Sequence, residues 1–142
     1  MMITKQTLSY ALAEKVIGWA VDKAEEMGVP QNIAVVDDAG HLVAFCRMDG
    51  AKFFSIEIAM TKAYAAAGLR ASTHEVAPKT QPGMPGYGAQ ALNGGRFTTL
   101  GGGVPLSVDG RTVGAIGVSS GTVEQDTEVA QYAANTFQEY VN

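Results

Sequence analysis

The sequence predicts one α/β domain of the α+β type, in which helices pack on a mainly antiparallel sheet. Two turn signals, Asp38-Ala39-Gly40 and Asp109-Gly110, each separate two apolar runs of strand length. Such turns join strands into hairpins, because Gly and Asp tolerate the positive φ angles of tight turns. Helix-period segments surround both hairpins, so the predicted order is α-ββ-α-loop-ββ-α. The length of 142 residues fits one domain over residues 1–142.

The first helix is predicted from about Thr4 to Met27, where apolar residues recur near the 3.6-residue helical period. Thr4 is the expected N-cap, and Gly28 with Val29-Pro30 forms a stop signal. The first hairpin then pairs a buried strand, Ile33–Asp37, with a return strand, Leu42–Met48.

The second half of the predicted fold begins with an alanine-rich helix from Ser55 to Leu69, whose small side chains allow a close approach to the sheet. A loop dense in Pro and Gly follows over Ala77–Gly88, with a short helical turn over Ala89–Leu92. Loops of this length in compact domains are often functional. The last helix is predicted to begin at Thr122, which forms a capping box with Gln125. Its expected inward-facing residues are Val129, Ala130, Ala133, Phe137 and Tyr140.

The second hairpin lies in the glycine-rich stretch Gly101–Gly121. Gly114 and Gly117 fall inside its second strand, where glycine indicates close approach of a helix, another subunit or a flat ligand. Gly102 and Gly103 offer bare backbone amides to an anion, and close packing is the alternative explanation. The segment matches neither the phosphate loop nor the dinucleotide-binding fingerprint.

Composition excludes several classes of protein. A net charge of −4 without basic runs argues against nucleic acid or an anionic membrane surface as the main partner. The single cysteine, Cys46, permits no intramolecular disulfide and no cysteine-based zinc cluster, and a buried position is expected for it. No run of about 18 apolar residues occurs, so a soluble, cytoplasmic protein is expected.

Six segments, spread through nearly the whole chain, occur in an order typical of one family. They are AVVDDAGHLVA (34–44), RMDGA (47–51), SIEIAMTKA (55–63), GGGVPL (101–106), GAIGVS (114–119) and EQD (124–126). On these segments the chain resembles the GlcG/HbpS family, which includes haem-binding proteins, glycolate-operon proteins and the C-terminal domain of PduO-type corrinoid adenosyltransferases. Ser119-Ser120-Gly121 and the loop from His74 to Gly95 depart from the family pattern.

The resemblance implies a profilin-like or sensor-like domain that assembles into tetramers or octamers, and a place among bacterial catabolic operon proteins. It makes haem, or a related tetrapyrrole, the leading ligand and the cofactor expected. Because the loop from His74 to Gly95 is individual to this chain, ligand choice is expected to depend on it.

Several residues are candidates for the site. His74 is a candidate axial ligand or general base, and Met84 and Tyr87 are candidates to ligate or cover a haem, with anchoring of the loop as the alternative. Only one further histidine, His41, occurs, and no paired histidine motif indicates a zinc or non-haem iron site.

The charged candidates are Lys62, Arg70 and Glu124. Lys62 and Arg70 lie two turns apart on the second helix, where they would bind a carboxylate or a propionate. The alternative for Lys62 is pairing with Glu57 or with solvent. Glu124 and Asp126 are candidate bases, or they complement the dipole of the last helix.

Three functions remain open. The first is a homo-oligomeric small-ligand-binding protein, with the ligand between the second helix, the long loop and the glycine-rich hairpin. The second is a catabolic enzyme acting on a carboxylate-bearing metabolite, with Lys62, Arg70 and His74 as binding and acid-base residues. The third is a structural subunit of an assembly.

Overall fold

A four-stranded antiparallel sheet forms the centre of the structure, a computed structural model that describes residues 1–142. The elements are α1 (Tyr10–Met27), β1 (Asn32–Asp37), β2 (Leu42–Arg47), α2 (Ser55–Leu69), α3 (Thr73–Val76), β3 (Gly103–Val108), β4 (Arg111–Ser119) and α4 (Val123–Val141). Three short 3-10 turns, over 77–80, 89–91 and 93–95, lie in the long connection between α3 and β3. The strand order is β2-β1-β4-β3, which places the two hairpins side by side. This confirms the predicted α+β fold class.

The two faces of the sheet are covered differently. Helices α1 and α4 pack on one face over a core of 17 buried residues that includes Val16, Ile116 and Phe137. Helix α2 packs on the other face over a smaller cluster of seven residues, most of them alanines. Gly117 of β4 lies directly under this helix: a Cβ atom there would be 2.5 Å from the Ala63 backbone nitrogen. A packed helix therefore explains this strand glycine.

The turn and capping signals are confirmed at the second hairpin and at α4. Asp109 (φ 51°) and Gly110 (φ 76°) both adopt the left-handed conformation, as a type I′ turn requires. Thr122 accepts a hydrogen bond from the Gln125 amide at 3.1 Å, and the Gln125 side chain accepts from the Thr122 amide at 2.9 Å.

Two details of the helices differ from the sequence-based expectation. Helix α1 begins at Tyr10 with Ser9 as its N-cap, and Thr4 lies outside it. The Leu8 amide donates instead to the Val113 carbonyl at 3.0 Å, so the chain just before α1 is tied to β4 rather than continuing the helix. Tyr140 is 56% exposed, and its ring packs at a tilt against Trp19, with 5.5 Å between the ring centres, rather than into the core.

Candidate functional site

The predicted site residues do not converge on one pocket. They lie in four places: a closed cluster around Lys62, an open groove beside His74, a cleft beside Arg70, and the exposed loop that carries Met84 and Tyr87.

Lys62 is buried at the centre of the first cluster, with a relative exposure of 2%. Its Nζ donates to Asp126 Oδ2 at 3.0 Å and to the Val118 carbonyl at 2.9 Å. Asp126 Oδ1 also accepts from the Gly121 amide at 2.9 Å. Pairing of Lys62 with Glu57 or solvent, the alternative from the sequence, is therefore wrong. Burial lowers the pKa of Lys62, and the Asp126 carboxylate opposes part of that shift.

Gly102 and Gly103 close the cluster from the side of β3. At Gly102 (φ 122°) a Cβ atom would lie 3.0 Å from Lys62 Nζ, so a side chain would displace the ammonium. The Gly103 amide already donates to Thr73 Oγ1 at 3.1 Å. Lys62 lines none of the four main cavities. In this conformation the cluster is an internal ion pair between α2 and α4.

His74 lies exposed on α3 and lines an open groove of about 660 Å³. Glu124, in the first turn of α4, lies along the same groove, together with Lys23 and Tyr132. Lys23 Nζ lies 5.4 Å from the centre of the Tyr132 ring and 3.4 Å from Glu26 Oε1. Two of the predicted residues, His74 and Glu124, thus share one surface with a cation and an aromatic ring.

Arg70 ends α2 in a left-handed conformation (φ 55°) and lines a cleft of about 690 Å³ on another part of the surface. The cleft also contains the Lys5–Asp38 ion pair, with 2.7 Å between Nζ and Oδ2. The Lys5 ammonium holds the pKa of Asp38 below its ordinary value. Met84 and Tyr87, 45% and 67% exposed, line none of the four main cavities.

The structure reveals one arrangement that the sequence interpretation missed. The Arg96 guanidinium lies over the Tyr64 ring, with Cζ 4.1 Å from the ring centre, and both residues line two adjoining cavities of about 330 and 410 Å³. Two signals were available: Tyr64 is the one aromatic residue in α2, and Arg96 follows the Gly94-Gly95 pair.

Two classes of feature are absent. No group of three or more His, Cys, Asp or Glu side chains is placed to hold a metal ion. None of the helices has the length and apolar character that crossing a membrane demands.

A family model described as "Haem degrading protein HbpS-like" matches residues 8–135. The chain belongs to the HbpS-like family. This confirms the resemblance seen in the six sequence segments. An uncharacterized 15.0 kDa protein of Citrobacter freundii, from the dhaT-dhaS intergenic region, is 42% identical over 133 residues, 94% of either chain. GlcG of Escherichia coli is 38% identical over 118 residues, 83% of this chain and 85% of GlcG.

Solved structures agree with this family membership. The Klebsiella pneumoniae protein ORFY superposes with a TM-score of 0.93 at 38% identity, covering 96% of this chain and 94% of ORFY. The PduOC–haem complex superposes with a TM-score of 0.86 at 36% identity, covering 91% of this chain and 94% of PduOC. The chain is therefore similar to a protein whose structure was solved as a complex with haem.

Proposed function

We propose that this protein binds haem in the groove beside His74, with His74 as the axial ligand. The observation that carries the proposal is that His74 is the only histidine on one of the four main cavities. The other histidine, His41, follows the turn between β1 and β2 and lines none of them. The haem complex of PduOC, at 36% identity, supports the choice of ligand.

The residues of the groove fit a haem. An imidazole is a common iron ligand, the Tyr132 ring offers a flat apolar contact, and the Lys23 ammonium would pair with a propionate. Glu124 and Glu128 also line the groove, and their negative charges would repel propionates. The propionates are therefore expected to point toward Lys23 and away from the start of α4.

Bound haem would supply an iron centre for ligand binding or electron transfer, and the chain would hold and orient it. His74 would hold the haem by binding its iron through one ring nitrogen. Glu124, a candidate base from the sequence, also lines the groove, and its negative charge would repel a propionate. Lys62 would have no direct contact, because its ammonium is enclosed by Asp126, Val118 and Gly102.

Titration with haemin, followed by the Soret absorption band, tests this proposal. We expect saturation at one haem per chain, and a shifted or weakened band for His74→Ala. His41→Ala is the matched control and should keep the parent spectrum. Met84→Ala should also keep the parent spectrum, because Met84 lies on the exposed loop and lines none of the four main cavities. An unchanged spectrum at stoichiometric haemin, or equal effects of the two histidine variants, would contradict the proposal.

We also propose that the protein acts as a homo-oligomer, the tetramer or octamer expected from the family. Its support is the exposed apolar surface: Phe53 and Phe54 are adjacent and each 76% exposed. Large exposed apolar side chains that lie together are typical of subunit contacts. Light scattering coupled to size-exclusion chromatography measures the mass, and a monomer at micromolar concentration would contradict the proposal. The cytoplasmic location stays a prediction, which cell fractionation would test.

A further inference from the structure

The Arg96–Tyr64 pair lies at the boundary of two cavities, neither of which shares a residue with the His74 groove. The smaller cavity, of about 330 Å³, lies between the C-terminal half of α2, the β1–β2 turn and the segment before β3. The larger, of about 410 Å³, continues from it along α2. A ligand at this position would therefore leave the proposed haem groove free.

The Tyr64 ring is held in place from two sides. Gly40 lies against one part of the ring, and a Cβ atom there would be 2.7 Å from Tyr64 Cδ2. The Arg96 guanidinium stacks on the ring at 4.1 Å. Such stacking restricts both side chains before any ligand arrives, which reduces the entropy lost on binding.

Arg96 retains most of its hydrogen-bonding capacity. Its Nε donates to the Asn93 carbonyl at 3.1 Å, and no carboxylate lies within ion-pair distance of the guanidinium. The N–H groups of the two terminal nitrogens make no hydrogen bond within the protein. A guanidinium with two parallel free N–H groups is suited to bidentate binding of a carboxylate.

The walls of the two cavities define the rest of the ligand. The smaller cavity is lined mainly by apolar side chains, which are Ala39, Ala65, Leu69, Leu92 and Phe97. Its acidic residue, Asp38, is already paired with Lys5 at 2.7 Å. The larger cavity contains Glu57, which would repel a second negative charge. These features favour a single carboxylate on a short apolar body.

We infer that Arg96, stacked on Tyr64, binds the carboxylate of a small monocarboxylate whose apolar body occupies the smaller cavity. The site is separate from the haem proposal, since Arg96 and Tyr64 do not contact the groove beside His74. It also differs from the carboxylate site expected from the sequence, which relied on Lys62, Arg70 and His74.

The test uses the purified full chain, hexanoate as the probe and hexan-1-ol as the uncharged analogue of equal length. Two-dimensional NMR follows the backbone amides and the arginine Nε–H signals. We expect hexanoate to shift Arg96 Nε–H, Leu92 and Phe97 saturably, with about tenfold weaker binding of the alcohol. Acetate, which lacks the apolar body, should bind more weakly than hexanoate.

Arg96→Gln should lower the affinity for hexanoate about tenfold or more, because it removes the charged donors. Arg70→Gln is the matched control, since it removes an exposed arginine from the other cleft, and should change the affinity less than about twofold. Arg96→Lys should give an intermediate loss, because it keeps the charge without the bidentate geometry.

Three results would overturn the inference. They are equal affinities for hexanoate and hexan-1-ol, shifts that cluster around Arg70 rather than Arg96, or unchanged hexanoate binding by Arg96→Gln. A cavity already covered by a second copy of the chain would leave Arg96 Nε–H unresponsive to hexanoate, which also overturns it. Haemin titration of Arg96→Gln separates the two proposals, because this variant should keep the parent Soret band.

Discussion

Replacing Lys62 with methionine removes the ammonium from the one ion pair in the structure whose two side chains are both buried. Side-chain exposure is 2% for Lys62 and 3% for Asp126, and the two charged atoms are 3.0 Å apart. Methionine keeps most of the aliphatic volume of lysine, so the substitution acts mainly on charge. It leaves the Asp126 carboxylate buried with only the Gly121 amide as a partner at 2.9 Å.

The expected loss of stability is about 3–5 kcal/mol, because removing one partner of a buried pair leaves an uncompensated charge. Loss of the donor to the Val118 carbonyl, at 2.9 Å, contributes to the same total. This is a large part of the roughly 5–15 kcal/mol that stabilises an ordinary domain. Urea unfolding followed by circular dichroism measures the change.

A double variant distinguishes the charge effect from altered packing. Asp126→Asn keeps an oxygen acceptor for the Gly121 amide and removes the negative charge. Combined with Lys62→Met, it should recover about 1–3 kcal/mol relative to the sum of the single changes. Lys23→Met, in the partly exposed pair with Glu26, is the control and should change stability by less than about 1 kcal/mol. A cost below about 1 kcal/mol for Lys62→Met, or additive single changes, would refute the buried-pair interpretation.

Three further predictions concern pH, packing and thiol chemistry. Folding lowers the pKa of Lys62 below its ordinary value of 10.5, so between the folded and unfolded pKa values the unfolded chain binds more protons. The free energy of unfolding should therefore rise with pH across that interval. Urea unfolding of Lys62→Met, measured at the same pH values, should lack this contribution. Gly117→Ala should lower stability by about 1–3 kcal/mol, because the added methyl group would collide with the backbone of α2. Gly18→Ala, with open space around it in α1, should raise stability by up to about 1 kcal/mol. Thermal unfolding compares the two variants, and equal shifts in melting temperature would contradict the close packing of α2 on Gly117. Burial raises the pKa of the half-buried Cys46 thiol, so less of it is thiolate at neutral pH. Cys46 should therefore react more slowly with a disulfide reagent than free cysteine does. An equal rate would contradict the partial burial of this side chain.

Local signals predicted most of the secondary structure. The bounds of α2, the Asp109-Gly110 turn and the capping box at Thr122 each depend on residues within one turn of chain, and each is confirmed. The start of α1 depends on a contact that sequence periodicity does not contain. Both Thr4 and Ser9 are suitable N-caps, and the choice follows from pairing of the Leu8 amide with Val113.

The candidate site was harder to predict because its contacts join distant parts of the chain. Lys62 and Asp126 are 64 residues apart in sequence, so neither residue type nor spacing identified them as partners. The glycine at 102 is explained by the same pair, since it leaves room for the ammonium. Arg96 and Tyr64 likewise belong to separate parts of the chain, the segment before β3 and helix α2, so no local pattern joins them.

Binding of haem beside His74 is the central claim, and a crystal structure of the haemin-saturated protein tests it most directly. We expect a porphyrin in the groove between α3 and α4, with the iron bonded to a His74 ring nitrogen and the propionates directed toward Lys23. Haem ligated by His41 or by the loop that carries Met84, or a groove that remains without porphyrin at saturating haemin, would contradict it.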